Sequence, residues 1–317
     1  MSNGKFAVRE AGTWGIGVSM GELRFDGRVA IVTGAAGAIG AEVALLLARR
    51  GASVVVNDLG CDVRGKGRSS APSEAVANRI RSGGGVAVSN DDSVAHPAGA
   101  ARLVSCAIDE FGRIDAVVNL AGNFMMASLN EHTPDDVRGL VDTHLIGTYL
   151  MARAAWPHLT SVHSGRIVNT ASGAVLGLRD LCGYAAAKGG VIGFTRSLAL
   201  EAAQAGIGVN AIMPTSASRM VDAALGVGDV EIERTTPEAL PPAAVAPVIA
   251  FLAHPKCELS GEILTAAGGS VTRMVFSETR GYRDEHLTPE SVEAHLDEIF
   301  DHTDARVLRS NDDRWQG

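Results

Sequence analysis

A tyrosine and a lysine stand four positions apart in an alanine-rich stretch that favours a helix, Tyr184-Ala-Ala-Ala-Lys188. Positions i and i+4 share one face of a helix, so the phenol and the ammonium can lie side by side. A free tyrosine titrates near pH ~10 and is a poor base at neutral pH. Because a neighbouring positive charge favours the phenolate, we expect Lys188 to lower the pKa of Tyr184. Such a tyrosine can exchange a proton with a hydroxyl or carbonyl group during hydride transfer; the alternative is a packed tyrosine beside a solvated lysine.

A serine hydroxyl is available near this pair. Ser172 lies twelve residues before Tyr184 and just past a predicted strand at 166–170. Ligands of a doubly wound sheet bind at the carboxyl ends of its strands, where a hydroxyl can donate to the reacting oxygen. Thr170 competes for this role by position, but Ser172 is favoured because it lies beyond the strand end. A turn serine without a functional role is the alternative.

The element that must position these groups begins with an apolar run at 29–32, which passes directly into a T-G-x-x-x-A-x-G turn at 33–40. Gly34 suits a sharp turn because it has no Cβ, and Gly40 allows the following helix to pack close to the strand. The free N–H groups at the helix start suit a pyrophosphate. Asp58 ends a second apolar run eighteen residues past Gly40, where a dinucleotide-binding unit holds the adenosine ribose hydroxyls. The pattern predicts a dinucleotide site rather than a merely structural turn.

Strand-like and helix-like segments alternate from residue 28 to about residue 270, which is typical of a parallel sheet covered on both faces. We predict a single doubly wound, Rossmann-type α/β domain with a seven-stranded parallel sheet. The strand candidates are 29–32, 53–56, 86–89, 116–119, 166–170, 208–212 and 262–265.

The domain organisation predicted from these patterns has three parts. A leader covers residues 1–23, the Rossmann domain covers 24–270 with a substrate lid at 216–242, and a C-terminal helical extension covers 271–317. In the extension, Thr288-Pro289-Glu290 resembles a helix start. The apolar face that follows must be buried on the core or on a partner subunit; its members are Val292, Leu296, Ile299 and Phe300.

Composition restricts the class of partner and the compartment. The 317 residues carry a formal net charge of −8 without a basic block, which argues against a nucleic-acid partner. We expect no membrane span, because the apolar runs are short. From the residues at the two ends of the sequence we expect neither a signal peptide nor a C-terminal peroxisomal address. The four cysteines are scattered without a metal-type pair, so we expect no metal site and a cytoplasmic protein with reduced thiols.

Several motifs together resemble the short-chain dehydrogenase/reductase family. They are TGAAGAIG at 33–40, Asn119-Leu-Ala-Gly122, Ser172, the Tyr184–Lys188 pair and Asn210-Ala-Ile-Met-Pro214. A closer similarity is to the (3R)-hydroxyacyl-CoA dehydrogenase domains of type 2 peroxisomal multifunctional enzymes. It rests on VVVNDLG at 54–60, RAAWPH at 153–158, PTSASRM at 214–220 and TPESVEAHLDEIFDH at 288–302.

The resemblance implies roles for individual residues. Tyr184 is the acid/base, Lys188 lowers its pKa and binds the nicotinamide ribose, and Ser172 holds the substrate oxygen. Asp58 grips the adenosine ribose and repels a 2′-phosphate, which favours NAD over NADP, although basic residues at 64 and 68 can offset this. The implied cofactor-binding residues are Thr33, Gly34, Gly37, Ala38, Ile39, Gly40, Asp58, Leu59, Asp92, Ser93, Asn119, Ala121, Gly122, Tyr184, Lys188, Pro214, Thr215, Ser216 and Ser218. The implied substrate-binding residues are Ser172, Tyr184 and Met220.

Two positions depart from the family pattern. Leu120 replaces the second residue of Asn-Asn-Ala-Gly, a change with a small expected cost because that asparagine is mainly structural. His144 occupies the helix position that usually supplies a catalytic asparagine. We hypothesise that His144 is catalytic and orients a water in the proton path from Lys188; a packed, hydrogen-bonded histidine is the alternative.

The substrate class follows from the predicted lid, whose small apolar side chains, such as Met220 and Leu225, suit a greasy chain or ring better than a sugar. An ordinary amphipathic helix is the alternative. The favoured substrate is a 3-hydroxyacyl-CoA, with Arg64, Lys66 and Arg68 as candidates for the CoA phosphates. A steroid or terpenoid alcohol without CoA is a second candidate substrate, and a steroid-ring CoA ester combines the two. A third interpretation is a non-catalytic nucleotide-binding protein.

Because the family pairs the helices at 137–156 and 184–204 between subunits, we expect a homodimer or homotetramer.

Overall fold

The computed structural model describes residues 21–217 and 240–315. Within these ranges the chain forms an eight-stranded sheet and a separate two-stranded sheet. The strands are β1 (Val29–Thr33), β2 (Ser53–Asn57), β3 (Val86–Asn90), β4 (Ala116–Asn119), β5 (Arg166–Thr170), β6 (Gly208–Thr215), β7 (Ile263–Ala267), β8 (Ser270–Met274), β9 (Phe276–Glu278) and β10 (Arg306–Leu308). The α-helices are α1 (Ala38–Arg49), α2 (Ala71–Ser82), α3 (Pro97–Phe111), α4 (Pro134–Val141), α5 (Gly147–Ser161), α6 (Cys182–Ala202), α7 (Ala246–Ala253), α8 (Pro289–Ala294) and α9 (Leu296–Phe300).

The large sheet has the order β3-β2-β1-β4-β5-β6-β7-β8. Its first seven strands are parallel, whereas β8 runs antiparallel to β7. The strand order reverses between β1 and β4, which opens a crevice at their carboxyl ends. The prediction of a doubly wound α/β fold is therefore confirmed, and the seven predicted strands are all present.

The predicted strand number of seven is one too low. The eighth strand follows a two-residue turn, Gly268-Gly269, and Ala267 pairs with Ser270 across it. Both glycines have positive φ, +52° and +85°, as the common two-residue hairpin turn requires. The paired glycines are a hairpin signal that the sequence interpretation did not use.

Strand β1 explains how the two faces of the sheet are covered. All five of its residues are buried, and successive side chains of a strand point to opposite faces. Ala30 and Val32 pack with residues of α1, α2 and α7. Val29 and Ile31 pack with residues of α3, α5 and α6. These two apolar layers hold the carboxyl ends of β1, β4 and β5 in fixed positions around the crevice.

The C-terminal segment begins its helix where the sequence predicts. Thr288 caps α8, and its side chain and that of Ser291 bond each other's backbone N–H groups. Of the four apolar side chains beyond this cap, Val292 (39%), Leu296 (44%) and Phe300 (73%) are exposed and Ile299 is half-buried. Packing of this face on the core or on a partner subunit stays a prediction.

Two predicted segments lie largely outside the described residues. They are the leader, up to residue 20, and the lid, from 218 to 239, which includes Ser218 and Met220. Among the described residues, no helix is long and apolar enough to cross a bilayer. The same residues contain no cluster of three or more potential metal-ligating side chains.

Candidate active site

The glycine turn forms a cradle without room for side chains. Gly34 has φ +64°, and a Cβ on it would lie 2.7 Å from the backbone oxygen of Leu120. A Cβ on Gly40 would lie 2.2 Å from the backbone oxygen of Gly34. Helix α1 begins at Ala38, and the first N–H groups of a helix have no partner within it. The cradle therefore fits the pyrophosphate of a dinucleotide.

Side chains at the ends of β1 and β2 hold this cradle in place. The Thr33 hydroxyl accepts hydrogen bonds from the backbone N–H groups of Leu120 and Ala121, both at 3.1 Å. One carboxylate oxygen of Asp58 accepts the N–H of Ala36 at 2.9 Å, and the other accepts the N–H of Gly60 at 2.8 Å. Asp58 thus has a second function that the sequence did not reveal, because it ties the end of β2 to the glycine turn.

Most of the predicted site residues line one cavity of about 440 Å³. Those that line it are Gly34, Gly37, Ala38, Ile39, Gly40, Asp58, Leu59, Asp92, Ser93, Ala121, Gly122, His144, Ser172, Tyr184, Lys188, Pro214, Thr215 and Ser216. Thr33 and Asn119 are buried behind the wall instead. Asn119 donates to the side chain of Asn169 at 3.0 Å, so both residues support the site rather than line it.

The cavity brings Tyr184 and Lys188 together as their spacing predicts. Tyr184 is 8% exposed and Lys188 is 3% exposed, and the Lys188 ammonium lies 5.7 Å from the centroid of the Tyr184 ring. Lys188 donates to the backbone oxygen of Thr170 at 2.6 Å. Burial lowers the pKa of Lys188 to about 7, since a low-dielectric environment penalises the charged form. Lys188 can therefore gain or lose a proton near neutral pH.

The expected lowering of the Tyr184 pKa is not found. Burial raises the pKa of Tyr184 above its usual value, and a hydrogen bond with Ser172 only partly opposes this. The spacing of Tyr184 and Lys188 predicts the neighbouring charge but not the loss of water around the phenol, which is the larger effect. A lysine with a pKa of about 7 is also only partly charged at neutral pH, so it stabilises the phenolate less than a fully charged ammonium would. The Tyr184 side chain is consequently a protonated phenol at neutral pH.

Ser172 and Thr170 have separate partners in the structure. The Ser172 hydroxyl accepts the N–H of Ala174 at 3.2 Å and is hydrogen-bonded to Tyr184. The Thr170 hydroxyl instead donates to the backbone oxygen of Asn119 at 2.7 Å. Ser172 therefore has its hydroxyl beside the phenol, whereas Thr170 links β5 to β4.

His144 lies in a π-helical turn, Asp142–Ile146, between α4 and α5. It is 2% exposed, and its Nε2 lies 2.7 Å from the backbone oxygen of Asn123. Burial and the charge of Lys188 hold its pKa well below the usual value, so the ring is neutral and Nε2–H is the donor. Its Nδ1 is then an acceptor, buried and without a partner among the described residues. Such π-helical turns are frequent at functional sites.

Apolar residues of the cavity wall were not predicted from the sequence. The Phe124 ring stands edge-on to Tyr184, with centroids 5.3 Å apart, and Leu181 lines the same cavity. Phe124 follows β4 by five residues, so its place at the carboxyl end of a central strand is a signal that could have identified it. Together these side chains make the wall around the phenol largely apolar.

This fold and site define a class. The short chain dehydrogenase family profile matches residues 28–224, and the chain belongs to the short-chain dehydrogenase/reductase family. It is therefore an oxidoreductase that acts on CH–OH groups.

A curated relative is peroxisomal multifunctional enzyme type 2 of mouse, which is 39% identical over 288 residues. The match covers 89% of this chain but 38% of the mouse protein. The chain thus spans well under half the length of this relative, and the mouse protein contains segments without a counterpart here.

Two solved structures show the same fold. The full-length peroxisomal multifunctional enzyme type 2 of Drosophila melanogaster superposes with a TM-score of 0.74 at 30% identity, covering 92% of this chain and 49% of that one. A 7α-hydroxysteroid dehydrogenase complexed with NADH and 7-oxo glycochenodeoxycholic acid gives a TM-score of 0.69 at 28% identity, covering 78% of this chain and 95% of that one.

Proposed function

We propose that this protein is an NAD-dependent dehydrogenase that interconverts the secondary alcohol of a 3-hydroxyacyl-CoA and the corresponding ketone. The observation that carries the proposal is the position of Tyr184, which lies with Ser172 and Lys188 on the wall of the cavity that contains the glycine cradle. The similarity to a peroxisomal multifunctional enzyme supports the choice of an acyl-CoA substrate.

The residues of the cavity fit a dinucleotide cofactor. The cradle at 34–40 would hold the pyrophosphate, and Asp58 would hold the adenosine ribose. A bound nicotinamide would supply the acceptor or donor of the hydride. The Asp58 carboxylate disfavours a 2′-phosphate by like-charge repulsion, so NAD is preferred over NADP. The complex of the related hydroxysteroid dehydrogenase with NADH supports this preference.

Tyr184 acts as the acid/base. Its phenol is protonated at neutral pH because burial raises its pKa, so it can donate a proton to the oxygen of a bound ketone. In the reverse direction the phenolate accepts the proton of the alcohol. Ser172 donates a hydrogen bond to the same substrate oxygen. Lys188, with a pKa of about 7, passes the proton onward, and the partnerless Nδ1 of His144 accepts a hydrogen bond from a water on that path.

A second candidate is a steroid or terpenoid hydroxyl dehydrogenase without CoA. The similarity to a hydroxysteroid dehydrogenase favours it, as does the apolar wall that Phe124 and Leu181 form. A non-catalytic nucleotide-binding protein is the third candidate. The arrangement of Ser172, Tyr184 and Lys188 argues against it. Either enzymatic reading would place the protein in lipid or steroid metabolism.

A substrate panel separates these candidates. Hydroxyacyl-CoA thioesters and free secondary alcohols are offered with NAD or NADP, and reduced cofactor is followed by its absorbance. Oxidation of the thioesters alone supports the first proposal, and oxidation of free alcohols alone supports the second. Binding of NAD without any turnover supports the third.

In a Tyr184→Phe variant, turnover falls by about 10²- to 10⁴-fold while NAD binding persists. Unchanged turnover would refute the role of the phenol.

The assembly and location of the protein also remain proposals. Tyr149 is 43% exposed on α5 and Leu200 is 64% exposed on α6, so these helices carry apolar surface that a partner subunit can bury. A homodimer or homotetramer formed through them is expected, and light scattering coupled to size-exclusion chromatography measures it. The cytoplasmic location stays a prediction.

A further inference from the structure

A second cavity of about 330 Å³ lies next to the active-site cavity. The two cavities share Asn123 and Phe124. Because the ring of Phe124 also stands edge-on to Tyr184, a ligand with its reacting carbon at Tyr184 can extend past Phe124 into the second cavity. Two basic side chains, Arg64 and Lys66, line this second cavity.

The loop that carries these two cations is folded around one acidic residue. A carboxylate oxygen of Asp62 accepts the backbone N–H of Arg64 at 2.9 Å and that of Lys66 at 2.8 Å. Phe124 anchors the loop by donating its N–H to the backbone oxygen of Val63 at 2.7 Å. The Asp62 carboxylate is therefore hydrogen-bonded to backbone N–H groups of the loop. Among the described residues, the Arg64 and Lys66 side chains form no hydrogen bond or salt bridge, although the charge of Arg64 helps to lower the pKa of Asp136.

The third basic residue of the loop has a different role. Arg68 pairs with Asp91 at 2.9 Å and lies 3.9 Å from Asp92, on the side of the sheet where the adenosine would bind. Its charge is therefore already balanced by protein carboxylates. The three basic residues that look equivalent in the sequence therefore differ. Arg68 forms salt bridges at the cofactor side, whereas Arg64 and Lys66 line the second cavity without a hydrogen bond or salt bridge among the described residues.

Two acidic residues also line the second cavity, and both have partners. Asp135 pairs with Arg138 at 2.6 Å. Asp136 accepts the N–H and the hydroxyl of Thr133 as part of a helix cap, at 3.0 and 2.6 Å. The lining of the cavity thus carries two cations and two carboxylates, but Arg138 and Thr133 bond the carboxylates. Arg64 lowers the pKa of Asp136 without a hydrogen bond or salt bridge to it, so Arg64 and Lys66 can still bind an anionic ligand.

We propose that Arg64 and Lys66 bind phosphate groups of the substrate's CoA moiety, with the pantetheine arm passing Phe124 toward Tyr184. The inference rests on the proposed function and extends it, because it assigns the polar end of the substrate to the second cavity. Phosphate groups are the natural ligands of such a pair, since each cation–phosphate contact is a charge-assisted hydrogen bond. The other phosphate source, the 2′-phosphate of NADP, would bind near Asp58 and not at this cavity.

The test compares two thioesters of one 3-hydroxy acid, the CoA ester and the N-acetylcysteamine ester, which lacks phosphate. In an Arg64→Gln/Lys66→Gln variant, the ratio of kcat/KM for the CoA ester to that for the cysteamine ester falls by about 10- to 100-fold. The loss appears in KM and not in kcat. The matched control is Arg49→Gln/Lys256→Gln, which removes two exposed cations that line neither cavity and keeps the wild-type ratio.

Calorimetric titration with CoA and with NADP makes the test independent of turnover. Wild type binds CoA and the double variant binds it at least about tenfold more weakly, while the affinity for NADP is unchanged. An unchanged thioester ratio, or no binding of CoA to wild type, overturns the inference. Loss of NADP affinity without loss of CoA affinity would mean that Arg64 and Lys66 bind the cofactor and not CoA. Oxidation of the cysteamine ester with an unchanged ratio leaves the dehydrogenase function standing, and no oxidation of either ester refutes that function instead.

Discussion

The imidazole of His144 stands edge-on against the ring of Tyr184, with centroids 5.1 Å apart and planes at 90°. The contact places a neutral, buried ring against the phenol that we propose as the acid/base. A hydrogen bond of the same ring explains why a histidine can occupy a position where the family usually has asparagine. The Nε2–H group bonds the backbone oxygen of Asn123 at 2.7 Å, a bond that an asparagine amide can also make.

Substitution of His144 tests whether the ring acts through this bond. His144→Asn keeps most of the turnover, because an amide can still donate to the Asn123 carbonyl. His144→Ala lowers kcat by about 10- to 100-fold, because the water of the proposed proton path loses its acceptor at Nδ1 and the Asn123 carbonyl loses its donor. Stopped-flow measurement of both variants over a pH series checks the result, with thermal unfolding as a control for folding. Wild-type kcat in the alanine variant excludes both a relay and a positioning role.

The buried lysine makes stability depend on pH in a defined window. Lys188 has a pKa of about 7 in the folded protein, against 10.5 when it is exposed. Between these values the unfolded chain binds more protons than the folded one, so the free energy of unfolding rises with pH. Between pH 7 and 8 the expected slope is about 1 kcal/mol per pH unit. Tyr184, whose pKa is raised, acts only above about pH 10, where stability falls as pH rises.

Urea unfolding at pH 7.0, 7.5 and 8.0 measures that slope. Lys188→Met removes the group, and its free energy of unfolding changes little over this range. Lys256→Met, at an exposed lysine, retains the wild-type slope. Equal slopes in the Lys188→Met variant and wild type would mean that the buried lysine is not the source of the pH dependence.

How much of the fold could be predicted depends on the kind of signal. Strands β1, β2 and β4 are nearly continuous apolar runs, which predict buried parallel strands directly. The other four predicted strands contain polar residues, as in RIVNT of β5, and are predicted from their alternation with helix-like segments. Strand β8 has a different character, because its sequence SVTRM contains no apolar run and Val271 is 52% exposed. Its signal lay in the turn Gly268-Gly269 before it. The unburied apolar face of α8 and α9 could not be placed from the sequence, because periodicity states that a face is apolar but not what covers it.

The candidate site likewise has features that the sequence predicts and features that depend on the folded structure. Spacing predicted the approach of Tyr184 and Lys188, because a helix fixes the geometry of positions i and i+4. The pKa of Tyr184 could not be predicted, because its direction depends on burial that only the packed structure provides. The π-helical turn that carries His144 leaves no pattern in the sequence. The difference in partners between Arg68 and the pair Arg64 and Lys66 likewise depends on the tertiary structure.

The Asp58 carboxylate sets the expected cofactor preference. Asp58→Asn keeps the size of the side chain and removes its charge, so the repulsion of a 2′-phosphate is lost. The amide nitrogen cannot accept, so one of the two backbone hydrogen bonds, to Ala36 or to Gly60, is lost as well, and the test therefore compares two cofactors in the same variant. The ratio of kcat/KM with NAD to that with NADP falls by about 10- to 100-fold. Asp109→Asn, at an exposed carboxylate on α3, leaves the ratio unchanged. The same ratio in the Asp58→Asn variant and wild type would show that Asp58 does not select the cofactor.

Gly122 lies directly against the imidazole of His144 and leaves room for it. A Cβ on Gly122 would lie 2.5 Å from Cε1 of His144, and the ring can shift only by disturbing its hydrogen bond to the Asn123 carbonyl and its edge-on contact with Tyr184. Gly122→Ala therefore lowers the free energy of unfolding by about 1–3 kcal/mol, as overpacking typically does. Gly193→Ala is the control, because a Cβ there meets nothing within 4 Å and alanine favours the helix α6.

A double variant identifies the cause of that loss. With His144→Ala in place, the methyl group of Ala at position 122 occupies the space that the imidazole leaves. The combined loss of stability is then smaller than the sum of the two single losses, by at least about 0.5 kcal/mol. Chemical unfolding of the four proteins in the cycle measures the coupling. Additive losses would show that the two residues do not press on each other, and the fit between Gly122 and the ring would then not be what holds His144 against Tyr184.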